Sequence, residues 1–452
     1  MAIISFPAPQ PPLVEQEFMT NPLQHEIKDP IHDFIYLSGG ERNVVNSEPV
    51  QRLRHIHQLA LSFLVYPGAT HRRFEHSLGV MHLAERAYEA LWRNRAKSPA
   101  QDLFPETKRD YWRQVVRMAA LCHDLGHLPF SHGAEHLLPG KETHETLSVR
   151  LIQDSSMRKH WTNLGLDPEH IAMVAVGPKA YGKSFTPWEA VMAELVVGDA
   201  FGVDRMDYLL RDSFHSGVAN GGFDQHRLLE RLCVLPSLGG SQATLGLEAG
   251  GLQASEAMLL ARYFLFDQLY FHPVRRIYDQ HLADFLHAAL GPTLSSAPGQ
   301  PGCFPTDVAS HLGVTDNEVF AAIAKAARDS EAPGHVHAKR IAQRDHYRVL
   351  YRSDVHDQIA AETDRQKKFP EARRVYAAAC EEFGADNVVL DVAVKGPGGR
   401  NFPVLTRTGR IESSLQVSRL LSGLPSVEVG FVFIEPGHRE AGREWLSGFL
   451  SS

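Results

Sequence analysis

The chain has little cysteine, no long apolar run and no excess of positive charge. Its four cysteines, Cys122, Cys233, Cys303 and Cys380, are scattered with no Cys-x-x-Cys among them. That excludes a disulfide scaffold and a zinc ribbon and fits a reducing compartment. No stretch reaches the roughly 18 consecutive apolar residues a membrane span needs, so no membrane contact is expected. Basic residues (46 Lys+Arg) are outnumbered by acidic ones (53 Asp+Glu), for a net charge of −7. Bulk electrostatics therefore does not draw the chain to nucleic acid, and any polyphosphate site must be locally basic. Single-stranded nucleic acid is a conceivable partner but is not indicated. The N-terminus carries no basic segment or long apolar core. Residues 1–24 read as a flexible Pro-rich arm rather than a signal peptide, and the expected location is cytoplasmic. No internal repeat is visible.

What is present is histidine, 25 of them, in a chain with the apolar (43%) and charged (22%) content of a globular protein. Residues 25–290 read as a mainly α domain, an all-helical core interrupted by one small β-hairpin. Helical patterns run from Ser77, over 111–124, from Thr143 as N-cap, over 187–212 and over 254–290. Arg231–Leu235 and Ala243–Leu247 flank Gly239-Gly240, a hairpin signal. Residues 291–306, rich in Gly, Pro and Ser, read as a linker. Residues 307–452 read as an α+β accessory or oligomerisation lobe. There Thr315 and Glu318 form a capping box opening a helix to about residue 328. Charged helices are expected over 334–383. Three strand-like runs follow, Val388–Val394, Phe402–Thr406 and Val427–Ile434, with a Gly396–Gly399 turn between the first two.

Three His-Asp dipeptides occur, and context separates them. His123-Asp124 ends a segment in which Trp112, Val115, Val116 and Ala119 share one helical face. An imidazole at the end of a buried stripe needs a partner. Gly126 and Pro129 then stop the helix. His32-Asp33 follows the turn signal Asp29-Pro30 and has no such lead-in. His356-Asp357 lies in a charged stretch and is expected to face solvent.

Around His123-Asp124 gather further groups of the same chemistry. Imidazole and carboxylate hold a divalent transition metal without thiolate, and His76, His123, Asp124 and Asp204 can supply four such donors. A metal so held polarises a phosphoryl group and supplies a nucleophile at neutral pH. Arg73 precedes His76 by three residues, on the same helical face, where a guanidinium can fork onto phosphate; Arg72 is expected at the surface. His127, His132 and Glu135 follow His123-Asp124 closely. A carboxylate on one nitrogen of His132 would make it a general acid. His144-Glu145 is a further acid/base or phosphate-binding pair, or simply a surface helix start. Asp207 can pair with Arg211 at i+4.

At these residues the chain resembles the HD-domain metal-dependent phosphohydrolases, and more narrowly their deoxynucleoside triphosphate triphosphohydrolase branch. The matching strings are Asp29–His32, Gln51–Arg54 with Gln58-Leu59, Pro67–Gly79, Leu121–His132, Thr143–Glu145 and Val203–Tyr208 with Arg211-Asp212. They run in family order over residues 25–290. The resemblance implies metal ligands His76, His123, Asp124 and Asp204, with Mn, Fe, Zn or Ni as the ion and Mg on the substrate phosphates. It implies that His127, His132 and His144 surround a triphosphate, with Glu135 orienting His132 as the acid. Arg73 and Arg262 would contact phosphate, Gln58 and Leu59 would pack by the sugar, and Tyr208, Asp212 and Tyr270 would lie near the ribose. The implied reaction releases a deoxynucleoside and triphosphate by attack at the α-phosphorus. The implied assembly is a homodimer or homotetramer.

The chain also departs from the family. Phe266 stands where the vertebrate members carry histidine. The segment Asn46–Pro49 lacks the aspartate that reads guanine in their activator site, and His25-Glu26 replaces its basic entry. Both departures argue against GTP-type activation. The first 24 residues also leave no room for a preceding helical interaction module. Dinucleoside polyphosphates, guanosine alarmones and nucleoside monophosphates are alternative substrates. A nucleotide-sensing or single-strand-binding protein with a structural metal is a third reading, disfavoured by the histidines beyond the ligand set.

Overall fold

The computed structural model describes residues 25–240, 242–354 and 370–451, without the side chains of His132, Asp354, Pro370 and Glu371. The Pro-rich arm and His356-Asp357 lie outside these residues. Helices dominate, as the sequence predicts. The site is built by α1 (Arg73–Asn94), α2 (Arg109–Cys122), α3 (His144–Gln153), α4 (Pro168–Tyr181), α5 (Pro187–Val197), α6 (Val203–Ser216), α7 (Leu252–Leu265) and α8 (Pro273–Ala289). Among the described residues, no helix is long and apolar enough to cross a membrane.

Helix α1 starts four residues earlier than its apolar pattern. The Glu75 carboxylate accepts from the Arg72 N–H at 2.7 Å, satisfying one donor at the helix start. Trp112, Val115, Val116 and Ala119 are buried on α2, which ends at Cys122 so that His123 and Asp124 sit just past its last turn. Thr143 caps α3 together with Thr146. The pattern over 187–212 is two helices rather than one. Gly198 and Gly202 turn the chain between them, and a Cβ at either would strike backbone carbonyls. The 254–290 pattern is likewise divided, by a π turn at Phe266–Tyr270 and by Pro273 opening α8.

Strands β1 (His25–Asp29) and β2 (Asp33–Leu37) form a hairpin over the N-terminal edge of the core. That hairpin is additional to the single one the sequence predicts; the predicted one, β3 (Leu232–Pro236) and β4 (Ala243–Glu248), belongs to a larger sheet. Strand β7 (Pro403–Leu405) pairs in parallel with β4, Leu247 opposite Val404, and β8 (Ile411–Ser413) extends the sheet beyond it. A third sheet places β9 (Val427–Ile434) between β5 (Arg348–Asp354) and β6 (Val388–Lys395). Strand β5 falls where the sequence reading placed helix. Its arginines at 348 and 352 mask the alternation, and its apolar residues find cover only beside β9. Helix α9 (Asp316–Ala326) opens with the expected Thr315–Glu318 capping box. Phe304, within the 291–306 segment, is buried, and its N–H bonds the Leu137 carbonyl.

One buried cation fastens the first hairpin region to the helices. Arg117 Nε donates to Glu41 Oε1 (2.6 Å), Nη2 to Glu41 Oε2 (3.0 Å) and to the Tyr36 carbonyl (2.9 Å), and Nη1 pairs with Glu85. Burial pushes the Glu85 carboxyl up. Glu41 stays low because the adjacent guanidinium outweighs the same burial penalty. Replacing Arg117 by alanine strands both acids, so Arg117→Ala is expected to lose about 3–5 kcal/mol of unfolding free energy. Urea titration measures it, and a loss under about 1 kcal/mol would show that Arg117 does not hold this corner.

Candidate metal centre and active-site pocket

Four side chains converge where α1, the end of α2 and α6 meet. His76 Nε2 lies 3.1 Å from Asp204 Oδ1 and 3.7 Å from Asp124 Oδ2. His123 Nε2 lies 3.3 Å from Asp124 Oδ1 and 3.6 Å from Asp204 Oδ1. The opposite ring nitrogens are committed elsewhere. His76 Nδ1 bonds Asp207 Oδ2 at 2.7 Å, and His123 Nδ1 bonds the Ala120 carbonyl at 2.7 Å. With the proton on Nδ1 of each ring, both Nε2 lone pairs face inward. His123 Nε2 is buried and has no hydrogen-bond partner among the described residues.

The charges there call for a cation. Burial opposes protonation of His76, yet hydrogen bonds to Asp204 and Asp207 hold its pKa up at about 10. Asp204 and Asp124 resist the same burial and stay well below the usual carboxylate range, the first beside His123 and His76, the second beside Arg73. Two imidazole nitrogens and two carboxylates fit a divalent transition metal in chemistry and spacing. His76, His123 and Asp124 offer donor atoms all within 4.8 Å of one another.

The surrounding shell was only partly legible. Asp207, fully buried, bonds His76 with one oxygen and His32 Nε2 (2.6 Å) with the other, and Arg211 grips it at 2.8 Å as the i+4 spacing suggests. His32 was set aside in the sequence for want of a helical lead-in; it is instead buried and in contact with the carboxylate that orients His76. Its inclusion in the Asp29–His32 string was the available signal.

The cluster forms the floor of a cavity of ≈ 1320 Å³. Gln58, Leu59, Arg73, His127, His144, Tyr208, Asp212 and Tyr270 line it, as do Lys141, Lys179, Arg275, Arg276 and Lys395. The last five were not foreseen, and Lys395 comes from the end of β6 in the C-terminal part. Arg73 is fixed at the His/Asp cluster, Nε to Ser131 Oγ at 2.8 Å and Nη1 to Asp124. His127 stacks on His144 at 4.1 Å. Burial, then Arg73 and His144, push its pKa well down, so it stands neutral. Asp212 accepts from Tyr270 Oη at 2.6 Å and contacts His71 Nε2 at 2.8 Å. Ala60, Phe130 and Ser131, all on the cavity wall, hold left-handed φ of 48°, 57° and 58°. Such backbone costs on the order of 1–3 kcal/mol per residue and needs support from its surroundings.

Glu135 and Arg262 each make a contact that the sequence does not show. Glu135 is set against His144, whose Nδ1 lies 2.6 Å from its Oε1; the side chain of His132, its expected partner, lies outside the described residues. Arg262 does not line the cavity. Its Nη1 reaches the Gly396 and Gly398 carbonyls at 3.4 and 3.3 Å, and its guanidinium lies over the Phe266 ring. The glycine turn offers it acceptors that the sequence pattern of its helix cannot show.

Residues 73–173 match the HD domain family and residues 223–428 match the HD associated region. This chain belongs to the HD-domain family. An uncharacterized protein of Methanocaldococcus jannaschii is 33% identical over 258 residues, 56% of this chain and 47% of that protein. Deoxynucleoside triphosphate triphosphohydrolase SAMHD1 of Homo sapiens is 31% identical over 401 residues, 82% of this chain and 60% of that protein. The chain thus spans less than two thirds of each of these sequence relatives. The crystal structure of a hypothetical protein from Aquifex aeolicus superposes with a TM-score of 0.75 at 30% identity, covering 94% of this chain and 100% of that one.

Because Asp207 fixes the tautomer of His76, Asp207→Asn is expected to weaken Mn binding about 10–100-fold. Asp124→Ala is expected to abolish stoichiometric metal. Equilibrium dialysis with metal analysis reads both, and wild-type affinity in Asp207→Asn would separate that carboxylate from the metal centre.

Proposed function

We propose that this HD-domain protein is a metal-dependent phosphohydrolase of nucleotides, with a deoxynucleoside triphosphate as its substrate. The observation that carries the reading is the pair of inward-facing Nε2 atoms of His76 and His123, set with Asp124 and Asp204 under a cavity walled by basic side chains. A divalent metal bound there, Mn, Fe, Zn or Ni by family resemblance, with Mg on the phosphates, supplies Lewis-acid polarisation and a nucleophile at neutral pH.

The chain's own groups account for the rest. Arg73, tied to Ser131 and Asp124, stands ready to pair with phosphate without losing much side-chain freedom. Lys141, Lys179 and Lys395 bring further positive charge to the cavity wall, where Arg275 and Arg276 are paired with Asp279 and Asp391. Tyr208, Asp212 and Tyr270 form a polar end for the sugar. Water adds to the α-phosphorus, the bond to the 5′ oxygen breaks, and an imidazolium protonates that oxygen as the deoxynucleoside leaves with intact triphosphate as the other product. Glu135, at 2.6 Å from His144 Nδ1, fixes the tautomer of that ring, which supports His144 as the acid; family resemblance supports His132. A second reading, cleavage of dinucleoside polyphosphates or guanosine alarmones, is favoured by the cavity's size. Its ≈ 1320 Å³ exceeds the roughly 300–1,000 Å³ of ordinary small-ligand pockets. Self-association as a dimer or tetramer accompanies either reading, and light scattering at micromolar concentration tests it.

Chromatography of products from Mn-loaded protein with the dNTPs, GTP, ATP, diadenosine tetraphosphate and guanosine tetraphosphate decides among the readings. Deoxynucleoside plus intact triphosphate is expected. Cleavage confined to the dinucleotide or the alarmone moves the function to the second reading, and no cleavage by metal-bearing protein sinks both. In the same assay the acid's alanine variant, His144→Ala or His132→Ala, is expected to keep its metal and turn over about 10²–10⁴-fold more slowly. Unchanged rates in both variants would remove the imidazole acid from the mechanism.

A further inference from the structure

Asp316 opens helix α9, far along the chain from every motif of the site, and is 1% exposed. The helix does not need this carboxylate as its cap. Thr315 and Glu318 already close a reciprocal box, with Glu318 Oε2 accepting from the Thr315 N–H at 2.7 Å. The Asp316 side chain instead reaches the cavity wall. Its Oδ2 accepts from the His57 backbone N–H at 2.8 Å and lies 2.6 Å from His57 Nδ1; its Oδ1 accepts from the Phe130 N–H at 2.8 Å.

Those two residues anchor the loops that carry the site. Residues 57–60 present Gln58, Leu59 and the left-handed Ala60. Phe130 and Ser131, both left-handed, lead the chain into the turn bearing His132. Between the loops Ser131 Oγ donates to the His57 carbonyl at 3.2 Å and accepts from Arg73 Nε at 2.8 Å. A second tie joins the same segments, since Arg52 donates to the His127 carbonyl at 2.8 Å and to the Val314 carbonyl at 2.7 Å.

We propose that Asp316 is a positioning residue, a single carboxylate from the C-terminal part that holds both loops of the cavity wall and, through Ser131, aims Arg73. Without it two buried N–H groups lose their acceptor, and only the Ser131 and Arg52 contacts remain to oppose relaxation of the left-handed pair toward ordinary backbone. A displacement of about 1 Å at such a wall costs on the order of 10²-fold in rate. The rate effect rests on the phosphohydrolase reading above; the loop geometry does not.

The test uses the full chain, loaded with Mn, as wild type, Asp316→Ala and Asp316→Asn. Amide hydrogen exchange is followed at 57–60 and 128–133, with metal content, kcat and KM. In Asp316→Ala, exchange is expected to rise at least about tenfold in both loops and not in α1 or α2, with wild-type metal content. The same variant is expected to lose about 10²-fold in kcat with KM little changed. Asp316→Asn, which keeps one acceptor oxygen, is expected to recover part of both effects, and it carries the test if the alanine variant does not fold. Unchanged exchange in the two loops, or a rise spread evenly over the helices, would overturn the proposal. If the wild type cleaves no nucleotide, the phosphohydrolase reading falls and the exchange pattern alone decides the role of Asp316.

Discussion

The buried Asp207 carboxylate is the interaction on which the rest of the site depends. It has no solvent exposure, and each oxygen has two partners. Oδ1 meets His32 Nε2 and Arg211 Nη2, and Oδ2 meets His76 Nδ1 and Arg211 Nε. Arg211 in turn holds Asp29 at the end of β1. An unpaired anion at this depth would be prohibitively costly, and the guanidinium keeps Asp207 well below the usual carboxylate range despite that burial. The same pairing fixes which nitrogen of His76 carries the proton, so a group that touches no substrate sets the electronic state of a candidate ligand. Gly79 makes the arrangement possible, because any Cβ there would collide with the Asp207 and Arg211 side chains.

The cavity above that floor is assembled from widely separated segments. Its walls run from Gln58 to Lys395, and its left-handed backbone at Phe130 and Ser131 is held by Asp316 from the C-terminal part and by Arg73 from α1. Carboxylates of the candidate metal centre lie below and lysine and arginine side chains around the wall, on a chain whose net charge is −7. Charge has been concentrated locally where composition gives no hint of it.

The helical character, the N-cap at Thr143, the capping box at Thr315, the β3–β4 hairpin and the strands β6, β7 and β9 were legible because each is a local pattern of a few residues. So was the set His76, His123, Asp124 and Asp204, which the structure brings together. The partners of those residues were not. His32 and Asp207 are 175 positions apart, and no periodicity links them. Arg262 could be placed on its helix by pattern, but the direction of its guanidinium depends on two glycine carbonyls more than a hundred residues later. Strand β5 escaped notice because Arg348 and Arg352 interrupt its apolar residues, and the start of α1 because Arg73, Glu75 and His76 make most of its first turn polar. Apart from the start of α1, what the sequence hides is a contact made at long range.

The parallel pairing of β4 with β7 joins Leu247 to Val404, and Phe402 closes edge-on against Phe201 at 4.6 Å. During synthesis, therefore, every candidate metal ligand has left the ribosome well before the strand that completes the sheet behind α5 and α6. At roughly 5–20 residues per second the half-built sheet waits on the order of 10 s with an unpaired edge. Contacts of such sequence separation form slowly, and an open strand edge is an invitation to wrong partners. The nascent chain is thus most vulnerable to misassembly in that interval, when its chemistry is already encoded but its scaffold is not yet closed.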